Sequence, residues 1–491
     1  MTLIAWPQVA APNELQLWVG QFGSNAPAAP AFTVNGQPAA PLAPAAWFAI
    51  RDQNCNADGS VALNHQAVIR LAALGPDQPH RVGVAVGAER TELVVRSMPA
   101  AVPMLLSGSF NLLLCSCYFQ PEDAGGLLGR IVSQLPVQPH MTLLGGDQVY
   151  LDLPLFEAMP KNEAGMRQAV GDKYRRNWMS GTLGVAGLQS VLTRAPTLCI
   201  ADDHEFWNNY PFRQAQLPTT WEDGTRCLWA KTAQALYEDY QIGGAPGHAP
   251  GARRVEIDPL SMLLIDTRCS RTAQVDLPQG LMVKATQDAL DAWASDLITA
   301  NAAGQQRVGL LGTGQALLVP KPGNVASHMQ DAELGSYTQS GCIEQALTRL
   351  AEAGVPVVFL TGDVHWGRVA RARHAPSGRT LLYEVICSPS RLIDSPGADQ
   401  IKHAKDLLHN PFGPKDPWPR HSDPAPVPAR YGAQNQFAPE SVFQRKGDQI
   451  ALLQFNRAGR GLDMQVTYYA IHTDPAIARP ETCGPHTLLA H

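Results

Sequence analysis

The sequence predicts an α/β protein preceded by a small β-sandwich. From Phe110 onward, short apolar runs alternate with amphipathic stretches, the pattern of strands layered against helices. Before that point the chain holds only short, partly alternating apolar runs broken by Pro-, Gly- and Ala-rich segments. A third observation concerns chemistry. Three apolar runs, LLGGDQVY, LCIADDHEFWNN and VFLTGDVHWG, stop abruptly at carboxylates, imidazoles and a phenol.

A chain of 491 residues is too long for one ordinary core. The expected division is a β-sandwich domain over 1–105 and a catalytic α/β domain over 106–491. In the first part ELQLWVGQF, AAWFAIRD, RVGVAVG and TELVVRSM read as strands. No chemistry clusters there, which suits a structural or docking module.

In the second part FNLLLCSCY, HMTLLGG, PTLCIA, SMLLIDTR, RVGLLGT, VPVVFLTG and TLLYEVICS read as strands. DAGGLLGRIVSQL, KYRRNWMSGTLGVAGLQSVL, DGTRCLWAKTAQALYEDY, TQDALDAWASDLITA and GCIEQALTRLAEAG read as helices, the last capped by Gly354. The Pro-rich stretch 395–440 reads as a long irregular loop, either a lid or plain surface. A hairpin with an Arg/Gly turn closes the chain over 446–472 and should add antiparallel strands to a sheet edge.

Composition narrows the function. Hydrophobic residues make up 45% and charged residues 16%, a globular balance. The net charge of -5 and the lack of any Lys/Arg block speak against a nucleic-acid-binding surface. A small anionic substrate would need local cations instead. No apolar stretch approaches the length of a membrane span. The first residues, MTLIAWPQVAAPNELQ, show no basic n-region, apolar h-region or twin arginine. The expectation is a cytoplasmic protein as written, or a periplasmic or secreted one if a leader has been removed. Nine irregularly spaced cysteines do not make a disulfide framework, and Cys115, Cys199 and Cys387 lie inside apolar runs as small buried hydrophobes. Oligomeric state is not readable.

The strand-end clusters carry the chemistry. Asp147 and Tyr150 follow a strand, and a helical turn there would put both on one face. Taken singly, they also fit a capping Asp beside a core Tyr. Asp202, Asp203, His204 and Glu205 close another strand, and four titratable groups there are costly unless paired or metal-bound. Asn208 and Asn209 could add amide oxygens. Asp363 and His365, at i and i+2 on an extended backbone, would point to one side. Cys117 ends FNLLLCSCY one β-α unit before Asp147 and makes a fourth strand tip. Three strands converging in this way would build a multinuclear metal site.

The ordered set Ser116-Cys117, GDQVY, ADDHE, TGDVH and YEVICSPSR, with KYRRNW at 173–178 and IDTR at 265–268, resembles the alkaline phosphatase D (PhoD-like) metallophosphatases of the calcineurin-like metallophosphoesterase superfamily. The likeness covers about 106–395. The superfamily opens with Asp-x-His. Here that string occurs last, in GDVH, and a Cys holds the opening position, as in PhoD-like proteins. The resemblance implies a four-layer α/β/β/α sandwich with an N-terminal β domain. It also implies a ferric ion and one or two calcium ions, with Zn2+, Mn2+ or Mg2+ as alternatives. Carried over, Cys117, Asp147, Tyr150 and His365 resemble the iron ligands, with Asp147 bridging. Asp203 and Asp363 resemble ligands of the second ion type, and His204 the catalytic histidine that serves the transferring phosphoryl group or the leaving oxygen. Asn208 and Arg268 are weaker candidates for binding substrate.

The expected reaction is hydrolysis of a small phosphoester, mono- or diester, by a metal-activated hydroxide. A phosphotriesterase and a non-catalytic, metal-stabilised binding protein are the alternatives. Redox chemistry at the iron ranks lower, because tyrosinate and a bridging carboxylate favour the ferric state.

Overall fold

The computed structural model describes residues 2–23, 27–52, 54–55, 61–154, 157–214, 216–244, 251–318, 334–392, 425–426, 436–474 and 477–490. Most of the stretch expected as a lid, 393–424 and 427–435, lies outside them. Its end is not loop, because Phe437–Lys446 is a strand paired along Trp366–His374.

Two large sheets face each other. Among the described residues one has ten strands and carries the parallel trio Phe110–Cys115, Met141–Gly145 and Thr197–Ile200 at its centre. The other has eight and carries Leu260–Ile265, Val308–Gly312, Val357–Thr361 and Thr380–Ile386, also parallel. The runs are apolar on both faces because both faces are covered. Leu112, Leu114, Leu143 and Ile200 point between the sheets, where they meet Met262, Leu264, Leu310 and Val358. The alternate residues Leu113, Cys115, Leu144 and Cys199 point outward onto helices through Leu128, Trp178, Leu192 and Trp229. On the far side Leu263, Leu311 and Phe359 meet Leu290, Trp293 and Leu347 of helices Lys284–Ala302 and Gly341–Glu352. The order is α/β/β/α, as the fold expectation had it.

The helix expected over 173–192 is instead two. Glu163–Trp178 is capped by the Asn162 side chain, and Leu188–Leu192 follows a 3-10 turn that ends at left-handed Gly184. The run 223–240 is helical to Tyr237 and then widens into a π-turn over Glu238–Ile242. The closing hairpin pairs Gln449–Ala458 with Gly461–Ala470. It extends the ten-stranded sheet beside Phe110–Cys115 and is itself flanked by Glu481–Leu489.

The N-terminal strands form two layers with their own core. Leu15, Leu17, Ile69 and Leu71 face Phe32, Val82 and Val84. One layer is not separate from the rest of the molecule. Thr2–Gln8, Glu14–Phe22 and His65–Ala72 continue the ten-stranded sheet next to Thr197–Ile200. Trp6 and Trp18, on the other face of those strands, pack with Tyr240 in the helical layer. Of AAWFAIRD, only Phe48–Ala49 is strand.

Candidate metal centre

Register brings the strand exits to one level. Cys115 lies opposite Leu144, and Gly145 opposite Ile200. Past those exits come Cys117, Asp147, Tyr150 and Asp202–Glu205. From the facing sheet, Val357–Thr361 leads to Asp363 and His365, and Leu260–Ile265 leads to Arg268.

The backbone turns sharply as it leaves each strand. Cys117, Asp147, Asp363 and His365 all hold positive φ, between 54° and 66°. For residues with a Cβ this costs on the order of 1 kcal/mol or more each, and such strain collects at functional sites. It also overturns two local expectations. Asp147 does not start a helical turn, and Asp363–His365 is not extended.

Hydrogen bonds fix the turns. Cys117 N–H donates to Gly146 O at 3.0 Å and Tyr118 N–H to Asp147 O at 2.8 Å. The SPSR motif closes over the same turn. Ser388 Oγ donates to Cys117 Sγ at 3.0 Å, and Ser390 N–H to Ser116 O at 2.7 Å. Glu205, fully buried, accepts the backbone N–H of Asp147, Gln148 and Asp202 at 2.7–2.8 Å, and the Gln241 amide at 3.1 Å. One carboxylate therefore ties two strand exits together.

His204 is positioned by a residue that sequence reasoning missed. Its Nδ1 lies 2.7 Å from Asp152 Oδ1, and Asp152 Oδ2 accepts the Asn208 N–H at 2.9 Å. The His204 ring rests on Tyr150 with centroids 4.1 Å apart. Asp152 was legible only as one more acid five residues beyond Asp147, with no pattern to mark it. Arg268 spends its guanidinium within the protein. Nε donates to Asp202 Oδ1 at 2.7 Å, Nη2 lies 2.5 Å from the same oxygen, and Nη1 donates to Tyr210 O at 3.0 Å. As placed, it holds Asp202 rather than facing an open substrate space. Asn208 stands at a part-buried rim with His204, Asp363 and His365.

The electrostatics are those of a buried acidic cluster. Burial, and then the neighbouring acids Asp203 and Asp202, push Asp147 well above the usual carboxylate range despite His204. Burial lifts Asp202 to about 6. Burial, reinforced by Asp147, raises the Cys117 thiol and the Tyr150 phenol far up. For Asp203, burial is outweighed by His204, Arg268 and the Asn209 N–H, and the net direction is down. Burial also opposes charge on His204, but Asp152, Asp203 and Asp147 hold it well above its ordinary range.

The residues fit a metal cluster. Tyr150 Oη, Asp202 Oδ2 and Asp203 Oδ1 are buried without a hydrogen-bond partner among the described residues. Buried polar atoms are ordinarily satisfied, and unsatisfied ones call for an ion or water. Asp147, Asp203 and His204 bring ligand atoms within 4.8 Å of one another, as do Asp147, Asp202, Asp203 and Asp363. Cys117 Sγ is 3.3 Å from Asp147 Oδ2 and packs with Tyr150. Neither carboxylate grouping includes Cys117 or His365. The backbone N–H of His365 donates to Ser388 Oγ at 3.2 Å, which places it beside the Cys117 turn. Asp202 is the member that the sequence reading had not taken as a ligand.

Carboxylates massed at the ends of two facing sheets form a donor set able to hold metal ions. A family model described as PhoD-like phosphatase matches residues 112–410. That is more than half of the chain, which belongs to the PhoD-like phosphatase family. A solved PhoD structure aligns over 99% of this chain and 92% of its own, at 15% identity and a TM-score of 0.57, a likeness of fold. GAP50, the anchor in the inner membrane complex of Plasmodium, aligns over 78% and 90% at 9% identity and a TM-score of 0.36. No curated protein sequence matches. Among the described residues no helix is long and apolar enough to cross a membrane.

Proposed function

We propose that the chain hydrolyses small phosphoesters, mono- or diesters, at a cluster of one ferric ion and one or two calcium ions. The observation that carries this reading is the set of buried, unsatisfied oxygens of Tyr150, Asp202 and Asp203 around Asp147. Cys117, Asp147, Tyr150 and His365 would hold the iron, Asp203 and Asp363 the second ion type, with Asp147 shared. Phenolate and thiolate suit a ferric ion, and carboxylates suit calcium. Bound, such ions lower the pKa of water toward neutrality and neutralise phosphoryl oxygens.

The protein's own groups supply the rest. Asp152 takes the Nδ1–H of His204 and leaves Nε2 for the substrate. A protonated His204 can steady the phosphoryl oxygens and give its proton to the leaving alkoxide. Its part-buried place at the rim, with the side chain 13% exposed, leaves an edge of the ring open to both. Arg268 orients Asp202 and is removed from the substrate-binding candidates. Asn208, fixed through its backbone N–H by Asp152, remains one.

The test is turnover of aryl phosphate mono-, di- and triesters by the metal-replete chain. Hydrolysis of a mono- or diester, lost on chelation, is expected. A triester cleaved in preference would move the substrate class. Unchanged esters after long incubation would leave only a binding protein.

A further inference from the structure

We propose that Asp202 is itself a ligand of the hard-cation part of the cluster, held in that role by Arg268 and by two glycines. This rests on the metal-centre reading above and adds a residue to it.

The first observation is how the Asp202–Arg268 pair is made. An Arg–carboxylate pair is commonly bidentate, with one N–H for each oxygen. Here Nε and Nη2 both address Oδ1, at 2.7 Å and 2.5 Å. Oδ2 has no hydrogen bond among the described residues, although Asp202 is only 1% exposed. Arg268 is also anchored to Tyr210 O, so it cannot swing to serve both oxygens. A buried carboxylate oxygen left bare in this way is costly unless a cation meets it.

The second observation is where the carboxylate sits. One Asp202 oxygen lies within 4.8 Å of oxygens from Asp147, Asp203 and Asp363. A set built of oxygens alone suits calcium, manganese or magnesium.

The third is the space kept for it. A Cβ on Gly146 would stand 2.6 Å from Asp202 Cβ. A Cβ on Gly314, in the loop after Val308–Gly312, would stand 2.7 Å from the Ala201 carbonyl oxygen and 3.0 Å from both Cβ and Cγ of Asp202. A side chain at 146 would force Asp202 to shift, and one at 314 would press on both the Ala201 carbonyl and the Asp202 side chain. A surface-type ion pair would not need such clearance. Glu205, through the Asp202 N–H, fixes the backbone on the remaining side.

The experiment uses the full chain. Metal content is measured on the purified protein. Calcium is then titrated calorimetrically into the calcium-stripped, iron-loaded form of wild type, Asp202→Asn and Gly314→Ala. Asp202→Asn keeps shape and the Arg268 contact and removes charge. We expect it to keep iron and its visible absorption while calcium binds at least about tenfold more weakly. Gly314→Ala should weaken calcium in the same sense, and it carries the test if Asp202→Asn fails to fold. Wild-type calcium affinity in both variants would overturn the proposal and leave the metal-centre reading intact. Wild-type protein that takes up no metal would overturn both.

Discussion

His204 Nδ1 lies 2.7 Å from Asp152 Oδ1, and the other oxygen of that carboxylate holds the Asn208 backbone. The pair fixes which ring nitrogen is left for substrate. Asp152→Asn should therefore lower kcat by about 10- to 100-fold with little change in KM. His204→Gln should cost more, and the double variant no more than His204→Gln alone, because both changes disable one unit. A large loss in His204→Gln with wild-type kcat in Asp152→Asn would dissolve the pairing.

Glu205 is a structural demand of the same centre. It receives three backbone N–H groups and one amide at full burial. A Gln at 205 turns one acceptor into a donor that faces donors. The expected loss is about 1–3 kcal/mol, the cost of a buried unmade hydrogen bond. Iron and calcium should fall together, because both Asp147 and Asp202 lose an anchor. Thermal melting unchanged from wild type would contradict this.

Much of this centre was legible in the sequence, because apolar runs ending in acids fix both the strand and the place where its chemistry emerges. Asp147, Asp203 and Asp363 stood out by that rule, whereas Cys117 was picked out by its place one β-α unit before Asp147 and by the family resemblance. The local conformations were not legible. A periodicity argument assumes regular backbone, and Cys117, Asp147, Asp363 and His365 are all left-handed. Asp152 and Glu205 escaped because their roles depend on partners 52 and 58 residues away. Arg268 was recognised through its motif, but a motif does not show that Asp202 lies beside it. In the fold, the strand Phe437–Lys446 hid inside a Pro-rich stretch. The continuity of the N-terminal strands with the large sheet hid because strand pairing leaves no mark in composition.

That continuity has a thermal consequence. Trp18 is fully buried, stacks between Trp6 and Tyr240, and donates from Nε1 to Asp239 O at 2.8 Å. Arg51 binds Asp239 and Glu238 of the same π-turn. The N-terminal layers and the helices beside the site should melt in a single transition. Trp18→Ala should lower that transition as a whole, by about 3–5 kcal/mol. Two resolved transitions in wild type would show that the parts are independent.

His486 provides a pH dependence away from the centre. Burial, then the Arg371 charge, pushes its pKa down to about 4 from an ordinary 6.5. Below pH 6.5 the unfolded chain takes up a proton that the folded chain refuses until about pH 4. Its contribution is therefore full above pH 6.5 and lost as the pH falls from 6.5 to 4, by up to about 3 kcal/mol. His486→Gln should flatten the stability difference over that window. An unchanged acid limb in denaturant titrations would show that His486 titrates normally.

In the proposed cluster Tyr150 and Cys117 would hold iron beside carboxylates that would hold calcium. Elemental analysis of the purified chain, with its visible spectrum, tests it most directly. The expected result is iron together with calcium and a tyrosinate-to-iron absorption band that disappears in Tyr150→Phe while calcium remains. Zinc as the sole metal, or iron whose band survives Tyr150→Phe, would contradict it.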